Sequence, residues 1–125
     1  MEDRNAPTPS LDEALDQIRQ AYEDGEAEIN GRAYKFHATT HKQRKRVFAF
    51  FTKIRAQLED GDLSWLASSE YEDVENLVEN MVSLDGELLS RRQGHWEEFP
   101  EDYVIFSITA MGVISYPFLR GIGTG

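Results

Sequence analysis

Residues 96–121, WEEFPEDYVIFSITAMGVISYPFLRG, decide the fold, because they join a carboxylate-rich opening to the longest apolar run in the chain. Such a run can cross a membrane, form the core of a domain, or present a surface that another chain covers. From Tyr103 to Leu119 it counts 17 residues and is interrupted by Ser107, Thr109, Ser115 and Pro117. A spanning helix needs about 20 predominantly apolar residues, and the basic flank here is a single arginine, Arg120. The pattern therefore predicts a buried helix and no membrane partner. Phe99–Pro100 mark its start, with Pro100 at the first helical position and Glu101 and Asp102 in the first turn, where the helix dipole favours carboxylates. A helix that is apolar nearly all round must be covered, by its own domain or by other subunits. In a domain this small the remaining elements leave part of it open, which predicts an oligomer.

Upstream, residues 1–9, with Pro7 and Pro9, read as a flexible arm. Ser10 and Glu13 form an S-x-x-E capping box, and Leu11, Leu15, Ile18 and Tyr22 recur at helical spacing, predicting a short helix over about 10–24. Asn30–Gly31 favours the positive φ angles of a two-residue turn, so residues 26–37 read as a β-hairpin. That register pairs Ile29 with Arg32, Ala27 with Tyr34 and Glu26 with Lys35, placing Ala27, Ile29, Tyr34 and Phe36 on one face with Arg32 at its edge. Thr40 and Gln43 make a second capping box for a helix over about 41–58, buried through Val47, Phe50, Phe51, Ile54 and Leu58. Ser69 with Glu72 opens a third helix, whose Val74, Leu77, Val78, Met81 and Val82 face inward. Between residues 83 and 99 only short helical or turn structure around Leu88–Arg92 is expected. The fold class is thus mainly α: a single helical domain over 10–120, with four to five helices and one N-terminal β-hairpin, followed by a flexible tail at 121–125.

The chain has 125 residues, no cysteine and a formal charge of −10. Disulfide frameworks and thiolate metal sites are excluded by the missing cysteines, and an intracellular location suits such a chain. The opening, MEDRNAPTPSLDE, lacks the apolar stretch and basic start of a secretory signal. Charge is unevenly spread. Between Ile29 and Leu58 there is no Asp or Glu, yet Arg32, Lys35, Lys42, Arg44, Lys45, Arg46, Lys53 and Arg55 all fall there, so all 23 carboxylates lie outside that window. Such bipolarity suits association with a complementary surface, although a solvated helix face has the same composition.

Motifs with catalytic or ligand chemistry are few. His37 and His41 stand at a strand end and a helix start with no third ligand, so they read as surface or cap residues rather than a metal pair. The DGD at 60–62 lacks the glycine and bidentate glutamate of a calcium loop, and GIGTG at 121–125 lacks the flanking strand and helix of a dinucleotide loop. Glu97, Glu98, Glu101 and Asp102, with His95 nearby, cluster without the separation around a substrate that acid–base catalysis requires. The expectation is no enzyme, no cofactor and no metal. HKQRKR, residues 41–46, has the charge to meet phosphates, but Phe50 and Phe51 are spaced for a core and Phe48 alone is a poor stacking platform. Nucleic acid is not expected as a partner.

Three segments in order, INGRAYKFHATTHKQRKRVFAFFTKI, YEDVENLVENMVSLDGE and HWEEFPEDYVIFSITAMGVISYPFL, resemble the small tail assembly chaperones of tailed bacteriophages. The resemblance covers about residues 26–120 and is most specific at Trp96, Phe99, Pro100, Tyr103, the apolar helix and Tyr116–Pro117–Phe118. It implies a mostly helical, non-catalytic protein that coats the tape measure protein, shields its apolar helices from aggregation and recruits tail tube subunits. It also implies action in the cytoplasm of the infected bacterium and absence from the finished virion. In many such phages a programmed frameshift extends the C-terminus, which the RGIGTG end would tolerate.

On this reading the partner-binding residues are Lys42, Arg44, Lys45 and Arg46, which orient an acidic client. They act with Trp96 as an anchor and the apolar side chains of Phe106, Ile108, Met111, Val113, Ile114 and Phe118. Two rival functions fit the same composition. One is an acidic, DNA-mimicking inhibitor of a host nucleic-acid enzyme, built on the carboxylates of 60–79 and 97–102; the other is a structural tail or connector protein of the virion.

Overall fold

The computed structural model describes residues 11–122, with side chains from 15 to 121. The Ser10–Glu13 capping box and the arm at 1–9 lie outside the described residues. The helix they introduce, α1 (Leu11–Asp24), is present and leads into a hairpin of β1 (Glu26–Ile29) and β2 (Arg32–Phe36). Asn30 and Gly31 both take positive φ, 51° and 85°, as the two-residue turn requires. The register is the one the sequence predicts, with Glu26 opposite Lys35, Ala27 opposite Tyr34 and Ile29 opposite Arg32.

The sequence analysis stops at one hairpin; the structure has two, joined in a four-stranded antiparallel sheet of order β1-β2-β3-β4. Strand β3 (Val82–Leu84) pairs with β2, setting Leu84 opposite Tyr34 and Val82 opposite Phe36, and then turns into β4 (Glu87–Leu88). Asp85 and Gly86, at φ 54° and 83°, make a turn of the same kind as Asn30–Gly31. Val82 therefore packs from a strand rather than from the third helix. Its spacing from Val74 and Val78 continues the helical period, but strands of three and two residues are too short to display an alternation of their own.

Helix α2 (His41–Lys53) carries the full capping box: the Gln43 N–H donates to Thr40 Oγ1 at 3.2 Å and the Thr40 N–H to Gln43 Oε1 at 3.0 Å. The predicted helix over 41–58 is interrupted at Ile54, and α3 (Arg55–Asp60) continues it. After a 3₁₀ turn (Ser64–Ala67), α4 (Ser69–Glu79) is capped by Ser68 rather than Ser69, because Ser68 holds the extended conformation from which its hydroxyl accepts the Tyr71 N–H. A second 3₁₀ turn (Leu89–Arg91) falls where short helical structure is expected, and α5 (His95–Glu98) follows. A third 3₁₀ turn (Pro100–Asp102) leads directly into α6 (Tyr103–Ile122), which takes in the first two residues of the expected tail. The fold is mostly helical, with six α-helices among the described residues.

Helix α6 lies at the centre. Phe106, Ala110, Met111 and Ile114 enter the main core with Tyr34, Val47, Phe50 and Val82, while Val113 joins a separate small cluster with Ile18 and Ala21 of α1. By length and composition alone Pro100–Gly121 is apolar enough to cross a membrane, and half of it is buried inside the protein.

Candidate partner-binding surface

Two constellations of chemically able side chains stand out. The first is internal. Asp102 is 0% exposed and receives four hydrogen bonds: from Arg32 Nε (2.6 Å) and Nη2 (2.9 Å), Asn30 Nδ2 (2.7 Å) and the Tyr34 hydroxyl (2.6 Å). An ionised carboxylate offers about four acceptor positions, so none is left for another group. Because the Tyr34 hydroxyl donates to Asp102, it accepts from His95 Nε2 at 2.9 Å, and His95 Nδ1 in turn accepts from Arg92 Nε at 3.2 Å. The imidazole is therefore the neutral Nε2–H form. Burial, and then the Arg92 charge, hold its pKa below the ordinary imidazole range. Hydrogen bonds from Arg32, acting against burial and helped by Tyr34 and Asn30, hold Asp102 well below the usual carboxylate range. Burial, reinforced by the bond to Asp102, raises Tyr34. Arg32 also reaches Glu101 Oε2 at 2.8 Å and lies 4.0 Å from the centre of the Phe99 ring. The network fastens the tip of the first hairpin to the start of α6. Its outer end borders an open hollow of about 340 Å³, where Arg91 and Arg92 face Glu87 and Glu98.

The second constellation is on the surface where α2 meets α6. Phe118 packs edge-on against Phe48 (5.1 Å between ring centres) and against His41 (5.7 Å). On the same stretch of α2, Lys42, Lys45 and Arg46 are exposed and make no ion pair among the described residues. Three other cations of the acid-free window are in ion pairs: Arg32 with Asp102, Lys53 with Glu70 at 2.7 Å, Arg55 with Glu59 at 4.0 Å. Arg44 is half-buried and donates through Nη1 to the Ile114 carbonyl at 2.6 Å, one residue from the carbonyl of Val113 that Pro117, lacking an N–H, leaves without its helical donor. Phe48 and Phe118 thus form a half-exposed aromatic pair, and the exposed cations of α2, Lys42, Lys45 and Arg46, lack ion pairs among the described residues.

The expected site residues divide accordingly. Lys42, Lys45 and Arg46 are exposed on α2, and Phe118 is half-exposed where α6 meets that helix at His41 and Phe48. Arg44 is spent on the α6 backbone. Phe106, Met111, Val113 and Ile114 lie in the chain's own interior, so in this conformation they offer no surface to a partner, and Ile108 is half-buried against the main core. Trp96 is half-buried and donates through Nε1 to Glu79 at 2.9 Å, stacking on Tyr34. Burial raises the pKa of Glu79, which that indole bond partly offsets. The large apolar side chain that α6 leaves most exposed is Ile105, at 52%, which the sequence analysis missed. A run apolar on every side contains no signal of which residue will be left uncovered. His37 donates to or accepts from Ser83 at 2.7 Å, and no group of three or more potential metal ligands occurs among the described residues.

No protein-family model, curated protein or solved structure matches this chain. The functional reading rests on the residues themselves. What α2 and α6 leave accessible is a half-exposed aromatic pair, Phe48 and Phe118, and three exposed cations on α2.

Proposed function

We propose that the chain is a phage tail assembly chaperone, a non-catalytic protein that binds the tape measure protein, self-associates and helps recruit tail tube subunits in the cytoplasm of the infected cell. The resemblance of residues 26–120 to that family supports this reading. The observation that carries it is the contrast between the two constellations. The internal acid, phenol and imidazole are consumed by one another, whereas Lys42, Lys45 and Arg46 are exposed on the helix that carries Phe48, without ion pairs among the described residues. Partially exposed aromatic and apolar area bordered by charge is what a helix-shielding protein requires.

Co-expression with the tape measure protein encoded in the same genome is the test, followed by affinity purification and light scattering. The expected result is a soluble complex with several copies of this chain per client. A client that precipitates while this chain stays unbound would remove the proposal. The inhibitor reading draws on the exposed carboxylates of α4, Glu70, Glu72 and Asp73. It predicts instead the capture of a host nucleic-acid enzyme that is lost as salt is raised.

A further inference from the structure

Asn30 is the only asparagine of the chain that is followed by glycine; Asn5, Asn76 and Asn80 precede Ala6, Leu77 and Met81. The pairing has a chemical consequence beyond the turn it makes. Glycine has no Cβ to shield its own nitrogen, so the Gly31 nitrogen meets the Asn30 side-chain amide with less steric hindrance than the following residue offers at the other three sites. Asn30 and Gly31 are both exposed at the tip of the first hairpin.

The same amide is part of the buried network. Asn30 Nδ2 donates to Asp102 Oδ1 at 2.7 Å and lies 3.5 Å from the Glu101 carbonyl. Of the hydrogen bonds that the fully buried Asp102 receives, this is the only one from a hydrolysable group, since Arg32 and Tyr34 supply the others. The charged and titratable groups around Asn30 are thus Arg32 and Tyr34 of β2, with Glu101 and Asp102 just before α6. An ionised carboxylate in place of this amide would donate nothing and would stand beside Asp102, and two carboxylates that close resist joint ionisation.

We propose that Asn30 is a site of spontaneous deamidation and that its conversion unties the tip of the first hairpin from the start of α6. The Gly31 backbone nitrogen, its proton lost to hydroxide, attacks Asn30 Cγ. A C–N bond forms, closing a cyclic imide, and the bond to the side-chain nitrogen breaks, releasing it as ammonia. Water then opens the imide at either carbonyl and leaves aspartate or isoaspartate. Water is consumed, ammonia is released, and nothing is oxidised or reduced. Asp102 loses a donor and gains a like charge, and the change is not reversed by refolding. The inference stands apart from the chaperone reading.

The test incubates the full chain at mildly alkaline pH and follows it by intact mass and by peptide mapping that separates aspartate from isoaspartate. Conversion is expected at Asn30 ahead of Asn76 and Asn80, with both products present, and Asn30→Gln, which closes an imide only through a larger ring, is expected to stay unmodified. Faster conversion at Asn76 or Asn80, or none at Asn30 while the chain unfolded in urea converts, would overturn the site. Untying is read from Asn30→Gly and Asn30→Asp, both compatible with the positive φ of the turn. The glycine removes only the donor, whereas the aspartate also adds charge. At neutral pH the urea midpoint is expected to fall from parent to Asn30→Gly and further to Asn30→Asp. The gap between the two variants is expected to close as pH falls through the carboxylate range, because the introduced carboxyl, once protonated, can donate to Asp102 again. Equal midpoints at neutral pH, or a gap that persists in acid, would refute the untying. Should Asn30→Asp fail to fold, hydrogen exchange on the aged parent decides: amides of β1 and β2 are expected to lose protection in the deamidated fraction while α2 keeps its own, and unchanged protection of the hairpin refutes the proposal.

Discussion

Asp102 shows how one residue changes meaning between sequence and structure. In sequence it is a first-turn carboxylate favoured by the helix dipole; in the fold it is fully buried and bound by Arg32, Tyr34 and Asn30, residues some 70 positions away. Removing one partner of a buried pair strands the other, at a cost of about 3 kcal/mol. Asp102→Asn is therefore expected to lower the urea midpoint by a corresponding amount, with Tyr34 losing its acceptor. The pH dependence has a definite sign. Since the folded-state pKa of Asp102 lies below its unfolded value of about 3.9, its contribution is complete above that pH and disappears as pH falls through the folded value. Urea titrations of the parent should show stability falling steeply below about pH 4, and the asparagine variant should show a shallower fall; parallel curves would mean that the network adds nothing in the folded state.

At the scale of elements, the α1–α6 crossing depends on one missing methyl group: Ile18 Cδ1 sits in the notch over Gly112, 2.4 Å from where a Cβ there would lie. Gly112→Ala forces Ile18 to move, with an overpacking cost of about 1–3 kcal/mol, set against about 1 kcal/mol gained by α6 as a helix. Ile18→Ala empties the notch. The two changes are expected to be non-additive, the double variant being more stable than the sum of the singles by about 1 kcal/mol in urea unfolding. Additivity within about 0.5 kcal/mol would show that the side chains do not meet. The first hairpin was legible because Asn30–Gly31 is a strong turn signal and the residues around it alternate. Asp85–Gly86 is the same signal, but its strands are so short that the adjoining helix absorbed Val82 into its own period.

For the whole molecule the question is where the uncompensated charge lies. Exposed cations away from ion pairs contribute little to folding, so replacing Lys42, Lys45 and Arg46 together with Glu should change stability by no more than about 0.5 kcal/mol per site. The same triple variant is expected to recover less client on co-expression, most clearly at low salt, because steering by rim charges acts on association and is screened. Undiminished recovery would move the client to another face. Four of the acid-free window's eight cations, Lys35, Lys42, Lys45 and Arg46, have neither an ion pair nor, like Arg44, a backbone carbonyl to bind among the described residues. Composition showed the surplus of charge; which cations remain available was decided by what stood next to each after folding.

By itself the sequence determined the local elements: the helical periods of α1, α2 and α4, the Thr40–Gln43 capping box, the first hairpin with its register, and Pro100 as the first residue of the 3₁₀ turn that leads into α6. These depend on contacts a few residues apart, which spacing records. The tertiary structure alone decided the partners. It joined the second hairpin to the first, buried Asp102 against Arg32, set Ile18 into the glycine notch and turned Phe106, Met111 and Ile114 inward, leaving Ile105 outside. Each of those outcomes depends on packing between segments far apart in the chain, from Phe36 and Val82 to Ile18 and Gly112. A nearly uniform apolar helix such as α6 contains no polar face from which its orientation could be read beforehand.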